Sequence, residues 1–216
     1  MISHLRHSFS AIRAGAIWLG ILAMAPGAVD AQEGLYGAGA PENAALMRVV
    51  NLNQTEHGPR IDVGPVRFSP QAPASASSYR PVPPGVYLLG GRALAVPFSP
   101  QADTFYTVLV HSPQEIEVVT DVAHGDPARA QLVLYNRTGR QVRLRAENPD
   151  GTVFPEVAPG TEAHRAVNAV SLTVVVDGPD GRPVLTRRLD LDRGGSYSIV
   201  LGVETAFVIT AAVSSD

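Results

Sequence analysis

Runs of four to eight residues rich in Val, Leu, Ile, Tyr and Phe recur along this chain at intervals of about ten residues, separated by clusters of Gly, Pro, Asn and Asp. That spacing is the pattern of a β-sandwich or barrel. It predicts strands near 46–52, 61–68, 86–89, 94–98, 105–110 and 116–120. A second series falls near 130–135, 142–147, 152–157, 172–177, 184–189, 197–201 and 207–213. Asp150-Gly151 and Asp180-Gly181 lie between runs, where a tight hairpin needs positive backbone dihedrals. No segment sustains a helical period.

The two series resemble each other in order. An opening run ends in Asn in both (Val49-Val50-Asn51, Leu134-Tyr135-Asn136), a Pro-Gly turn follows (Pro84-Gly85, Pro159-Gly160), and a late run begins with Tyr (Tyr106-Thr107-Val108-Leu109, Tyr197-Ser198-Ile199-Val200). These pairs are 85, 75 and 91 residues apart, so the match is one of pattern. It reads as a weak tandem duplication or as the convergent grammar of β-sandwiches. Between the series, Gly125 and Pro127 interrupt the strand pattern. The expected organisation is all-β: two tandem small β-sandwich (Ig-like) domains joined by a short linker. The first spans 32–120 with an N-terminal arm, the linker 121–128, and the second 129–216. The Pro-, Ala- and Ser-containing segment 70–78 reads as a mobile loop.

The N-terminus changes the picture of compartment. His4, Arg6, His7 and Arg13 precede an apolar run from Ala14 to Ala25, and Val29 and Ala31 are the small residues before a cut at Gln32. This predicts a cleaved signal peptide over 1–31, since an apolar run of about a dozen residues is short of the roughly 20 needed to cross a bilayer. The expected location is the periplasm, with no transmembrane segment after cleavage. The chain holds no Cys, so an exported fold here relies on its core alone. Its 17 basic residues are all Arg, set against 20 acidic ones for a net charge of −3. No basic field is present to attract nucleic acid.

Candidate chemistry is sparse. Asp121-Val122-Ala123-His124 has an Asp-x-x-His spacing, but no Gly-Asp-Ser nucleophile block precedes it and no Gly-x-Ser-x-Gly elbow occurs. His57, His111, His124 and His164 stand singly, without metal-ligand spacing. No catalytic residue, metal site or cofactor is expected. One basic constellation has a physical case. Along Gln141-Val142-Arg143-Leu144-Arg145-Ala146, alternation sends Val142, Leu144 and Ala146 inward and Gln141, Arg143 and Arg145 outward, with Arg137 and Arg140 in the preceding turn. Four guanidinium groups along one edge match the carboxylates of an anionic polysaccharide. Exposed Arg on a β-surface equally serves to block edge-to-edge association. The arm 34–41 holds Leu35 and Tyr36 among Gly, Ala and Pro, which either packs on the first unit or docks a partner by strand addition.

The opening Leu35-Tyr36-Gly37 with Ala40-Pro41, then Val82-Pro83-Pro84-Gly85-Val86-Tyr87, Phe105-Tyr106-Thr107-Val108, the Asn136-Arg137-Thr138-Gly139 turn and Arg165-Ala166-Val167-Asn168-Ala169-Val170 occur in an order that resembles the AlgF family. Proteins of that family are accessory factors of bacterial alginate O-acetylation. The resemblance implies two tandem β-sandwiches and a non-enzymatic adaptor role beside periplasmic and membrane acetyl-transfer proteins. An acetyltransferase or esterase with an unrecognised nucleophile and a general periplasmic binding module are the competing readings.

Overall fold

The structure is a computed structural model that describes residues 43–90, 95–147 and 151–210. The predicted leader and the arm with Leu35 and Tyr36 lie outside the described residues. All regular structure in the described residues is strand.

The first half contributes β1 (Ala45–Asn51), β2 (Ile61–Val63), β3 (Val66–Phe68), β4 (Ser75–Ala76), β5 (Arg80–Val82), β6 (Tyr87–Leu89), β7 (Val96–Phe98), β8 (Phe105–Ser112) and β9 (Glu115–Asp121). One sheet runs β4-β1-β8-β9, with β5 also on β1, and two hairpins, β2-β3 and β6-β7, stand apart from it. Ala45, Met47 and Val49 of β1, Tyr106, Val108 and Val110 of β8, and Ile61, Phe68 and Leu89 from the hairpins close the core between them.

The second half contributes β10 (Ala130–Asn136), β11 (Val142–Ala146), β12 (Thr152–Val157), β13 (Thr161–Val167), β14 (Ser171–Asp177), β15 (Pro183–Asp190), β16 (Ser196–Leu201) and β17 (Ala206–Thr210). Two four-stranded sheets, β13-β10-β16-β17 and β12-β11-β14-β15, face each other across a core of Leu132, Leu134, Leu144, Phe154, Val174, Val176, Tyr197 and Ile199.

Strand period fixes how the halves meet. All seven residues of β1 are buried. Its odd-numbered residues Ala45, Met47 and Val49 enter the first core, while Val50 joins Leu109, Val119, Tyr135 and Val200 in a separate apolar layer. β10 and β16 divide likewise: Leu132, Leu134, Tyr197 and Ile199 face the second core, and Tyr135 and Val200 face this layer. The layer is a seam between β1-β8-β9 and β10-β16-β17. Strands covered on both faces need near-continuous apolar sequence, which Leu46-Met47-Arg48-Val49-Val50 and Leu132-Val133-Leu134-Tyr135 supply.

The two halves share a hydrogen-bonding frame. β1 lies parallel to β8 with Met47 opposite Tyr106 and Asn51 opposite Val110. β10 lies parallel to β16 with Leu132 opposite Tyr197 and Asn136 opposite Leu201. Each Asn Nδ2 donates to three carbonyls: Asn51 to Glu56, Gln71 and Ala72, and Asn136 to Arg140, Val157 and Ala158. Each Tyr hydroxyl accepts a backbone N–H five residues upstream, from Gln101 to Tyr106 and from Asp192 to Tyr197. The Asn and Tyr matches of the sequence therefore coincide in register. The Pro-Gly match does not: the partner of Ala158-Pro159-Gly160 in this frame is Ala72-Pro73-Ala74, and Ala74 and Gly160 both have positive φ, 49° and 72°.

Other differences from the sequence pattern have local causes. The single run expected over 61–68 is two strands, because Gly64 turns the chain at φ 57°. The segment expected as a loop over 70–78 includes β4, which pairs with the end of β1. β13 was not expected, since an edge strand reading Thr-Glu-Ala-His-Arg-Ala-Val keeps no alternation. The segment 121–128 begins inside β9. It is tied to the second half by Gln131 Nε2 on the Val122 carbonyl and His124 Nε2 on the Arg129 carbonyl.

Candidate functional site

A cluster of side-chain to side-chain hydrogen bonds lies in the seam. Arg48 comes from the middle of β1 and is 1% exposed. Its Nε donates to Thr107 Oγ1 of β8 at 2.9 Å, and its Nη2 crosses the seam to Tyr135 Oη at 3.0 Å and Ser198 Oγ at 2.9 Å. The guanidinium lies 4.8 Å from the Tyr79 ring centroid and 5.8 Å from that of Tyr135, within cation–π reach. Asp121, closing β9, accepts from Tyr79 and Thr107 through Oδ2 and from Tyr135 through Oδ1. The Thr107 and Tyr135 hydroxyls thus bridge a buried cation to a carboxylate, and the Tyr79 hydroxyl donates to the same carboxylate. Burial, with the Asp121 charge second, pushes the Tyr135 hydroxyl up to about 12, so it stays a neutral donor. Burial opposes the Arg48 charge, and Tyr79, Tyr135 and Asp121 outweigh it. Arg48 Nη1 has no hydrogen-bond partner among the described residues.

A second polar contact closes the end of the seam. Arg137, expected at an exposed binding edge, is buried, its side chain 4% exposed. Its Nε and Nη2 grip Glu117 of β9 at 2.9 and 2.8 Å, Nη2 also reaches Glu162 at 3.1 Å, and Nη1 donates to the Thr161 carbonyl at 2.8 Å. His111 Nε2 lies 3.2 Å from the same Glu117 carboxylate. Burial resists ionisation of Glu117, but the bonds and charge of Arg137 overcome it and hold the carboxyl below its ordinary range.

The remaining arginines of the segment face outward. Arg143 and Arg145 leave the core-facing side of β11, as alternation requires, and both bind Asp177 of β14, at 2.8 Å each. The Arg145 bond, against some opposition from burial, and the Arg143 bond hold the Asp177 carboxyl low. Arg140 is exposed and reaches no carboxylate at ion-pair distance among the described residues. It lines an open cleft of 730 Å³ where the turns Thr138–Arg140, Gly178–Arg182 and Gly202–Thr205 converge. The four arginines therefore do not form one array: Arg137 is internal, Arg143 and Arg145 share an acid, and Arg140 has no acidic partner among the described residues. Leu35 and Tyr36 are outside the described residues.

The Asp121–His124 spacing makes no dyad, because the Asp121 oxygens meet hydroxyls and His124 Nε2 donates to the Arg129 carbonyl at 2.8 Å. Ser198 Oγ meets a guanidinium rather than a base. Among the described residues no group of three or more His, Asp or Glu is placed to hold a metal ion. No helix among them is long and apolar enough to cross a membrane. Sequence reasoning passed over Arg48, although a lone charge in an otherwise apolar, doubly buried run is a usable signal.

Fold and sites define an all-β protein of two sheet systems joined through a buried polar seam, with guanidinium groups on its outer face. The chain belongs to the AlgF family: the family model described as "Alginate O-acetyl transferase AlgF" matches residues 16–198. It is similar to the alginate biosynthesis protein AlgF of Pseudomonas aeruginosa, 28% identical over 191 residues, covering 85% of each chain. The AlgF of Pseudomonas fluorescens is 23% identical over 160 residues, covering 74% of this chain and 73% of that one. Among solved structures, the C-terminal domain of AlgF from P. aeruginosa aligns with 39% of this chain and 97% of its own length, at 15% identity and a TM-score of 0.33.

Proposed function

We propose that this protein is a non-catalytic periplasmic accessory in the O-acetylation of alginate or a similar exopolysaccharide, holding an acetyl-transfer partner in place rather than making or breaking the acetyl ester. The observation that carries this reading is the use of the chain's best-placed polar groups. Arg48, Thr107, Asp121, Tyr135 and Ser198 bond to one another inside the seam, which joins two sheet systems into one platform instead of offering a nucleophile to substrate. Such a platform raises the effective concentration of what it binds. For an anionic polysaccharide the segment from Arg137 to Arg145 offers Arg140 and the exposed part of Arg143.

The family's description names an acetyl transferase, and the same experiment separates that reading. The purified chain is expected to hydrolyse an activated acetyl ester no faster than buffer, while the tagged chain recovers an acetyl-transfer protein from the periplasm of its host during polymer synthesis. Turnover that disappears in Ser198→Ala or His124→Ala would establish an enzyme instead. Recovery of the chain alone, with and without polymer synthesis, would remove the adaptor role.

A further inference from the structure

We propose that the outer edge of β15 takes an extended acidic segment of a partner protein by strand addition, with an apolar residue of that segment seated in the cleft at the start of the strand. For the identity of the partner this rests on the adaptor reading; the edge itself is argued independently.

Several sheet edges compete for such a role; β2 to β7, each two or three residues long, are too short, and four longer edges carry obstacles. β12 carries Pro155, which lacks an N–H, and its pairing with β11 shifts register twice. The Thr161 carbonyl of β13 is already bonded by Arg137. β17 lies between β4 of the first half and β15. On β9, Glu117 and Asp121 are committed to the seam. β15 also opens with Pro183 and touches β17, but it is eight residues long, ends its sheet, and from Leu185 to Asp190 carries no proline and keeps unbroken register with β14.

Charge selects the occupant. Arg187 on this strand and Arg140 in the adjoining cleft have no carboxylate at ion-pair distance among the described residues. Arg182 is 86% exposed and only loosely held, 3.5 Å from Asp180, and Arg188 stands 3.7 Å from Asp190. An acidic strand gains from these groups, while a basic one is repelled. The cleft supplies the anchor site: Val142 and Leu201 form its floor, and Val184 and Val203 are 52% and 86% exposed at its rim. Its Gly202–Thr205 turn is fixed from the first half, since Thr205 Oγ1 donates to the Leu52 carbonyl at 2.7 Å, so the pocket is formed before anything binds.

The test is NMR titration of the full ¹⁵N-labelled exported chain with the capped peptide Leu-Glu-Val-Glu-Thr-Glu-Val, with its Lys-for-Glu counterpart, and with an oligomannuronate. The acidic peptide should shift resonances of 183–190 and of the turns 178–182 and 202–205, and the Lys peptide should not. Arg187→Glu and Val203→Asp, both at exposed positions, should each weaken binding about tenfold with thermal unfolding unchanged. Absence of shifts, equal response to both peptides, or response to the oligomannuronate alone would overturn the proposal. Co-purification separates the two readings. If Arg187→Glu recovers the acetyl-transfer partner as fully as the parent chain does, the edge proposal fails and the adaptor role stands. If the parent recovers no partner but the acidic peptide binds at β15, the adaptor role fails and the edge stands.

Discussion

Laid over each other in the shared register, the two halves agree in their backbone frame and disagree on the face they turn to one another. Asn51 and Asn136, and Tyr106 and Tyr197, occupy the same places and make the same bonds. On the seam face, Thr107 and Ser198 also correspond, but Arg48 stands where the second half has Val133, and Val50 where it has Tyr135. Leu52 and Arg137 donate equivalent backbone bonds, to Val110 and Leu201, and differ in the same way. Polar faces apolar at each of these positions. A half meeting its own copy would bring Arg48 against Arg48 without the Tyr135 and Ser198 oxygens that accept from Nη2, and a buried donor left without an acceptor is costly. Two similar sheets in one chain are at risk of pairing with themselves or between molecules. Unlike residues at like positions make them complementary to each other.

Breaking that complementarity should have the largest effect. Arg48→Ala leaves Asp121 without its buried counter-charge and the Ser198 and Tyr135 oxygens without a donor, and should cost about 3 kcal/mol in urea unfolding. Val133→Ala at the equivalent position should cost about 1 kcal/mol, and equal losses would show that the seam does not depend on the guanidinium. Next come the frame residues. Asn51→Ala and Asn136→Ala each strand three carbonyls, with an expected loss of about 2 kcal/mol apiece; a loss confined to one would mean the frames are not equivalent in energy. Gly160→Ala should cost about 1 kcal/mol through its positive φ alone, since an added Cβ meets nothing within 4 Å. Its counterpart Ala74→Gly should gain up to about 1 kcal/mol, read as opposite shifts in melting temperature.

The smallest effect is in the pH dependence. The Glu117 carboxyl is held below the ordinary glutamate value of 4.5, so its contribution is complete above that value and is lost as pH falls through the lower folded value. The acid limb of the stability curve should therefore flatten in Glu117→Gln. A limb of unchanged slope would place acid sensitivity elsewhere, with Asp177 the next group to substitute.

Much of this was legible in residue order because period two and turn residues are local signals. The parity of β11 placed Val142 and Leu144 inward and Arg143 and Arg145 outward, and the Asn and Tyr correspondences emerged in register. What escaped depends on partners distant in sequence. Arg137 looked like an exposed turn residue because nothing near it announces Glu117, twenty positions earlier on the other side of the seam. Arg48 looked like an ordinary strand residue because its meaning lies in Ser198, 150 positions away. β4, β5 and β13 were missed because short or charged edge strands lack the apolar alternation that marks a covered one.

The parallel pairing of β1 with β8, and of β10 with β16, governs the order in which this protein can assemble. The opening strand of each half must wait for a strand made some sixty residues later, and the first half offers its seam face uncovered until the second is complete. Such long loop closures slow folding. A newly emerged first half therefore presents apolar Val50 and Leu109 to whatever is nearby, and release of the last strand, rather than formation of the first sheet, is the event that ends its exposure to aggregation.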